Sequence, residues 1–285
     1  MRRKLASEQI NVTETIPGLS AEEAAFLTTL AGDGRTLFTV EDAHAHWGDE
    51  TRARAHLHKL ASKGWIERLE RGKYIIIPLE AGPAREWSEN PFLIAGELVE
   101  PAVVAYWTAL HHWQFTEQMP RITYVQTTAR KRVRRKTVLG ITYQFVTVTE
   151  RKLFGQKREF VGHRSYRITD PEKTLLDCLD RPDLAGGIHE VMKALRQTDR
   201  IRWDVLDDYL AQMGAGAVAK RLGFLVERSD LAVPDREAHL TRWQAQLTSG
   251  LAKLDPSSPR DSHRIDTRWR IRVDLDEDLL RGGAV

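Results

Sequence analysis

Three helix starts in quick succession, each with its own cap, followed by two short β-type runs, leave few folds open to residues 20 to 77. Ser20-Ala21-Glu22-Glu23 forms a capping box, in which the first and last side chains each satisfy the other's backbone N–H. The helix it opens carries Phe26, Leu27 and Leu30 on one face, and Gly32-Asp33-Gly34 is suited to stopping it. Thr39-Val40-Glu41-Asp42 resembles a second box, with Asp where Glu or Gln is usual, and opens a short helix to Trp47. Asp49 can cap a third helix from Glu50 to Lys63, and Gly64 stands where a left-handed residue ends a helix.

On the third helix, a period of 3.6 residues predicts Ala53, Leu57, Leu60 and Ala61 on the face packed against the first helix. Thr51, Arg54, Ala55, His58 and Ser62 fall on the other face, flanked by Arg52 and Lys59. Small residues there permit close approach, and Arg, Lys, His and hydroxyl groups offer donors to phosphates and base edges. Trp65 to Leu69 and Lys73 to Ile77 are strand-like, joined at Glu70-Arg71-Gly72-Lys73, so Arg71 and Lys73 flank a turn that can lie along phosphate. Three helices and a β wing in this order read as a winged helix-turn-helix, with Thr51, Arg52, Arg54, His58, Lys59, Ser62, Arg71 and Lys73 as its DNA contacts. The competing reading is a small α/β domain whose charged helix face is merely solvated.

A chain of 285 residues with eight tryptophans suffices for two packed domains. Met1-Arg2-Arg3-Lys4 is basic, but Ala6 to Glu14 is mostly polar, so no signal peptide is expected, and no apolar run could span a bilayer. A cytoplasmic location follows as the expectation. Cys178 is the only cysteine and lies in the apolar helical stretch Thr174 to Leu179, which argues for a core thiol and against a multi-thiolate zinc site. His44 and His46, and likewise His56 and His58, lie two apart on predicted helices and so point about 200° apart, which prevents either pair from chelating one ion. No metal and no cofactor are expected.

The net charge of +3 hides an uneven distribution. Between Arg121 and Arg167 the only acidic residues are Glu150 and Glu159, against Arg130, Lys131, Arg132, Arg134, Arg135, Lys136, Arg151, Lys152, Lys157 and Arg158 among others. The two clusters are expected to form one positive face, a second nucleic-acid contact or a surface for a protein or RNA partner. A solvated loop is the bland alternative for the run from Arg130 to Lys136.

Beyond the wing, 81–90 reads as a linker and 91–285 as a C-terminal domain. Pro91 starts a helix through Leu98, and another is expected from about Val103 through Trp113. A basic β-rich part follows over about 120–168, with strands at Arg121 to Thr127, Gly140 to Thr149 and Phe160 to Ile168, the first two joined as a hairpin by the basic run. Asp170 and Pro171 begin a helical part over about 170–250, with helices expected at 187–196, 203–213 and 215–227. After a Pro-Ser segment at 254–262, alternation of Trp269, Ile271, Val273 and Leu275 with Arg268, Arg270, Arg272 and Asp274 predicts a strand within about 264–275. The expected class is α+β, an N-terminal winged helix-turn-helix followed by a larger mixed α/β domain.

Enzyme chemistry finds little support. Asp274-Leu275-Asp276 could pair carboxylates as a nucleotidyltransferase does, but no Gly-Ser loop precedes it, and Glu172-Lys173 is better used starting a helix than serving a nuclease. Several segments instead resemble the AbiEi-type antitoxin regulators of type IV toxin–antitoxin systems: Arg71-Gly72-Lys73-Tyr74, Tyr106 to His111, Thr116 to Pro120, and above all Ile168 to Pro182 with Ala185-Gly186-Gly187. That resemblance implies a non-enzymatic antitoxin that represses its own operon through upstream inverted repeats in double-stranded DNA. It also implies a C-terminal domain that counteracts a nucleotidyltransferase-like toxin, without a need for a stable complex. A monomer or weak dimer would fill the repeats. An ordinary repressor with a ligand-sensing or oligomerising C-terminal domain, and an RNA-binding or RNA-modifying protein, are the other readings. The segment from Asp170 to Gly187 is read as structural: a capped helix, a buried leucine face and a Gly-Gly break.

Overall fold

The computed structural model describes residues 17–81, 89–258 and 264–273. The chain divides into two compact units that meet in sequence between Glu89 and Asn90, the first mixed helix and sheet, the second a larger α/β unit. The basic residues Met1 to Lys4, the stretch Ala6 to Glu14, most of the expected linker and the pair Asp274 and Asp276 lie outside the described residues.

The N-terminal unit runs α1 (Ala21–Gly32), β1 (Leu37–Thr39), α2 (Val40–Trp47), α3 (Glu50–Ser62), β2 (Ile66–Glu70) and β3 (Lys73–Ile76). Both capping boxes form: Ser20 and Glu23 exchange bonds at the start of α1, and Thr39 and Asp42 at the start of α2. Asp49 accepts from the Arg52 N–H at 2.9 Å to start α3. The cap Gly48 is left-handed with φ of 73°, which turns α2 sharply into α3. Phe26, Leu30, Phe38, Ala43, Leu57, Leu60 and Ile66 are buried together, with Phe26 meeting Phe38 edge-on at 5.2 Å between ring centroids.

Strand β1 is a finding that periodicity did not supply. It is three residues long, its last residue also caps α2, and it pairs antiparallel with β3 to give the sheet order β1-β3-β2. Ala61, expected inside, is exposed. It lies about 80° around the helix from Ala53, whereas His56 lies about 60° to the other side, and the buried stripe leans towards His56. His56 is only 14% exposed and stacks on Trp47 at 4.6 Å.

The C-terminal unit begins with α4 (Pro91–Leu98), β4 (Val103–Val104), α5 (Tyr106–His112), β5 (Ile122–Thr127), β6 (Arg135–Val138), β7 (Ile141–Thr147), β8 (Gln156–Val161) and β9 (Arg164–Thr169). It continues with α6 (Pro171–Asp180), α7 (Ile188–Leu195), α8 (Trp203–Met213), α9 (Gly216–Arg228), α10 (Arg236–Gln244), β10 (Ala252–Lys253), β11 (Ile265–Asp266) and β12 (Ile271–Arg272). Six strands form a mixed sheet in the order β6-β7-β5-β4-β9-β8, and β10, β12 and β11 form a small second sheet.

Four expectations change here. The stretch from Phe160 to Ile168 is not one strand: β8 and β9 pair antiparallel from Gln156–Thr169 to Val161–Arg164, with the turn at Gly162 and His163. Val103 and Val104 do not open a helix: they are a buried two-residue strand inside the large sheet, antiparallel to β5 and parallel to β9, and the helix starts only at Tyr106. β-branched valines suit that pleated position. The strands on either side of the basic run are not a hairpin, because β5 and β7 pair parallel from Ile122–Thr142 to Thr127–Thr147. A parallel pair needs a crossover, and β6 supplies its return limb, running antiparallel to β7 at the sheet edge. The expected strand around Trp269 shrinks to β12, since residues 267–270 form a turn in which Arg270 has φ of 51°. Trp269, Ile271 and Val273 are nonetheless all buried.

Helix α6 is the core of the unit. Asp170 accepts from the Lys173 N–H at 2.9 Å and from the Tyr209 hydroxyl at 2.8 Å, and every residue from Glu172 to Leu179 is buried. Cys178 sits there fully buried, and burial pushes its thiol well above its ordinary value. Lys173 and Asp177 form an enclosed ion pair one helical turn apart. Burial pushes the Asp177 carboxyl up, against the opposing pull of the Lys173 ammonium. The Gly-Gly break is steric: Gly186 has φ of 78°, and a Cβ there would meet Trp107 and Glu190 at 2.9 Å.

Candidate nucleic-acid interface

Helix α3 presents two flanks that behave differently. On the flank towards α1, Arg52 is bound by Glu22, His56 lies 3.2 Å from Glu22, and Lys63 reaches the buried Glu23 at 2.7 Å. The Arg52 guanidinium holds the exposed Glu22 carboxyl below its usual range. Burial raises the pKa of Glu23, but the Lys63 ammonium and the Ser20 N–H outweigh it and the net shift is downward. These contacts clamp α3 to α1, and Arg52 is spent on them.

On the outward flank lie Thr51, Arg54, Ala55 and His58, all exposed. Arg54 is 71% exposed and bonded to Glu50 one turn earlier. Lys59 and Ser62 are exposed near the end of the helix, where the Ser62 hydroxyl donates to the Lys59 carbonyl at 2.9 Å.

Opposite this flank stands the β2–β3 hairpin. Its turn is Arg71-Gly72, with Gly72 at φ of 80°, and the Gly72 carbonyl accepts from the Val40 N–H at 2.9 Å. The turn is thereby tied to the first residue of α2. Lys73 pairs with Thr39 on one side and Glu70 on the other and is half-buried, so it is less available than Arg71, which is exposed.

Between α3, the start of α2 and the hairpin opens a cleft of about 700 Å³. Arg54, His58, Arg68 and Arg71 line it, with Glu41, Glu50, Leu57, Ala61 and Tyr74. Arg68 is a functional candidate that sequence reasoning missed. Strict alternation would put Ile66, Arg68 and Glu70 on one face, but the pairing of β2 with β3 shifts between Arg68 and Glu70. That bulge lets Ile66 and Leu69, three apart, both point inward and leaves Arg68 exposed. Unusual spacing of two buried residues was the available signal.

The basic residues of the C-terminal unit do not form one face. Arg135 and Lys136 belong to β6 and Lys157 and Arg158 to β8, at opposite edges of the sheet. Five inter-strand gaps of about 4.8 Å separate those edges by roughly 24 Å. Several of the cations are also engaged: Lys131 with the Leu98 carbonyl, Arg135 with Gln144 at 2.8 Å, Arg151 with the Gln212 carbonyl at 3.2 Å and Lys152 with Asp180. Lys157 lies over the Trp113 ring at 5.1 Å. Arg130, Arg132 and Arg134 are exposed in the crossover before β6. The arginines near the C-terminus are partly used as well, Arg268 by Glu227 and Arg270 by the Thr248 carbonyl.

Among the described residues no group of three or more His, Cys, Asp or Glu side chains is placed to hold a metal, and no helix is long and apolar enough to cross a membrane. A helix flank and a hairpin turn that bring three arginines and a histidine to one cleft define a surface suited to a polyanion. Residues 26–77, which include the residues lining this cleft, match the family model described as transcriptional regulator, AbiEi antitoxin. Over the whole chain, the crystal structure of the RV2827C protein from Mycobacterium tuberculosis is similar, with a TM-score of 0.60 at 16% identity, covering 92% of this chain and 94% of that one. That likeness is one of fold. No curated protein matches the chain.

Proposed function

We propose that the N-terminal unit is a winged helix-turn-helix that binds duplex DNA, and that the protein is an antitoxin that represses its own operon. The carrying observation is the cleft on which Arg54, His58, Arg68 and Arg71 converge. In this reading α3 enters the major groove with Arg54 and His58 foremost and Thr51 and Ser62 assisting. The β2–β3 hairpin is the wing, and Arg71, Arg68 and Lys73 follow the phosphate backbone. Arg52 acts indirectly by fixing α3 on α1, and Lys59 meets backbone at the helix edge. Two copies, as monomers or a weak dimer, occupy inverted repeats upstream of the operon, in the cytoplasm. In the same reading the C-terminal unit counteracts a nucleotidyltransferase-like toxin and carries no catalysis of its own; the family match at residues 26–77 supports the regulator part of this reading.

The test uses the intact chain in cells. A reporter driven by the DNA upstream of its gene should be repressed, and co-expression should restore growth to cells producing the protein of the adjacent gene. Repression without rescue would leave a plain repressor. Rescue without repression would remove DNA from the account of the N-terminal unit.

A further inference from the structure

The β8–β9 hairpin of the C-terminal unit leaves one face open. Its pairing is unbroken from Gln156–Thr169 to Val161–Arg164, so alternation sends Arg158, Phe160, Ser165 and Arg167 to the same face. At its root, Gly155 lies against Lys173 of α6 and Tyr209 of α8, where a Cβ would come within 2.9 Å of each side chain. Beyond the root, Lys157, Arg158, Ser165 and the stretch from Phe160 to His163 are exposed. Phe160 is 66% exposed and is the only exposed Phe, Tyr or Trp among the described residues. A single surface phenylalanine needs no explanation by itself, but its neighbours on this face do. Arg158 and Arg167 stand directly opposite each other, a relation that costs a strand pair stability. Arg158 has no ion-pair or hydrogen-bond partner among the described residues, and Arg167 meets Glu100 at 2.6 Å in a pair open to water. Glu159 alternates to the other face, opposite Tyr166, and Ser165 stands opposite Phe160, where its small side chain leaves the ring uncovered.

We propose that this face binds single-stranded nucleic acid, with a base stacked on Phe160 and the flanking phosphates on Arg158 and Arg167. Guanidiniums beside an uncovered ring match the two parts that recur along such a strand, an anionic phosphate and the flat face of a base. A duplex keeps its base faces stacked on one another and offers this ring nothing to stack on, so the unpaired strand is selected. Exposed ion pairs add little to stability, so a phosphate can displace Glu100 from Arg167. Every residue involved belongs to the C-terminal unit, so the assignment stands or falls independently of duplex binding at α3.

The test is fluorescence anisotropy of the full chain on labelled single strands of mixed sequence, about ten nucleotides long, as RNA and as DNA, over a salt series. Binding should weaken with salt, and Arg158→Ala should flatten the dependence of log affinity on log salt by about 0.7. Phe160→Leu keeps an apolar side chain but removes the stacking surface and should weaken binding by about tenfold, whereas Phe160→Tyr should retain it. Both positions are exposed, so all three variants should melt with the wild type. Unlabelled duplex from upstream of the gene should not displace the single strand. RNA bound more tightly than DNA of the same sequence would identify RNA as the ligand, and equal binding a single strand of either kind; both results support the proposal. No salt-dependent binding of either strand would overturn it. So would an affinity that Phe160→Leu and Arg158→Ala leave unchanged, or displacement by the duplex, which would place the strand at α3. Sedimentation showing a wild-type dimer that Phe160→Glu dissolves would cover the face with a second copy and overturn the proposal as well.

Discussion

In the N-terminal unit, Arg54 from α3 and Arg68 and Arg71 from the β2–β3 hairpin face one cleft. In the C-terminal unit, a nearly continuous basic run and a second cluster are carried to opposite edges of the sheet, and several of their members are bound by carbonyls or carboxylates. Positive charge is denser along the chain where it is more dispersed in space. Sheet order and local pairing decide where a polyanion can be held, and a count of basic residues does not.

The sharpest contrast is between buried and exposed charge. Lys173 and Asp177 are enclosed in α6, whereas Arg54 and Glu50 are paired in water at the same helical spacing. Lys173→Ala should destabilise the C-terminal unit by roughly 3–5 kcal/mol in urea unfolding, because Asp177 is left buried and unpaired. Replacing both by Met and Leu should recover much of that loss. Next in size, Arg54→Ala should lower operator affinity by about 1–3 kcal/mol and relax base preference at one position, read by quantitative footprinting. Arg52→Ala, whose guanidinium is already taken by Glu22, should change affinity less than about threefold.

Acid separates the two flanks of α3. Glu23 has a folded pKa below its ordinary value of 4.5, so it contributes stability that is present above pH 4.5 and lost as the pH falls through its lower folded value. Thermal melts should therefore show a loss below pH 4.5 that Glu23→Gln diminishes, the remainder belonging to Glu22 and Asp42, with a lower plateau at neutral pH. The smallest effect expected is an absence of coupling. Charge reversal at Arg132 and Arg135, on the β6 side, and at Lys157, on β8, should add to within about 0.5 kcal/mol in binding to non-specific DNA. Strong coupling would mean that the two edges share a ligand.

The caps of the N-terminal unit were legible because each is a local pairing of named side chains: Ser20 with Glu23, Thr39 with Asp42, and Asp49 with the Arg52 N–H. Strand β1 was not, since three residues carry no period and Thr39 had already been assigned to a cap. In the C-terminal unit the element types at Ile122, Ile141 and Pro171 could be read, but their arrangement could not. Parallel pairing of β5 with β7, and the place of Val103 and Val104 between β5 and β9, are set by non-local partners that alternation does not name. The site shows the same division. Arg54, His58 and Arg71 followed from a helical wheel and a turn, while the engagement of Arg52 by α1 and the exposure of Arg68 at a bulge depend on tertiary contacts.

The most direct test of the cleft as a DNA interface is fluorescence anisotropy of the full chain on labelled DNA from upstream of its own gene, over a salt series with unrelated DNA as competitor. Each phosphate contact contributes a slope of about −0.9 to the dependence of log affinity on log salt, so removing both Arg68 and Arg71 should flatten the slope by nearly two units. Binding that ignores the competitor's sequence in the wild type, or an affinity and slope unchanged without these two arginines, would contradict the account.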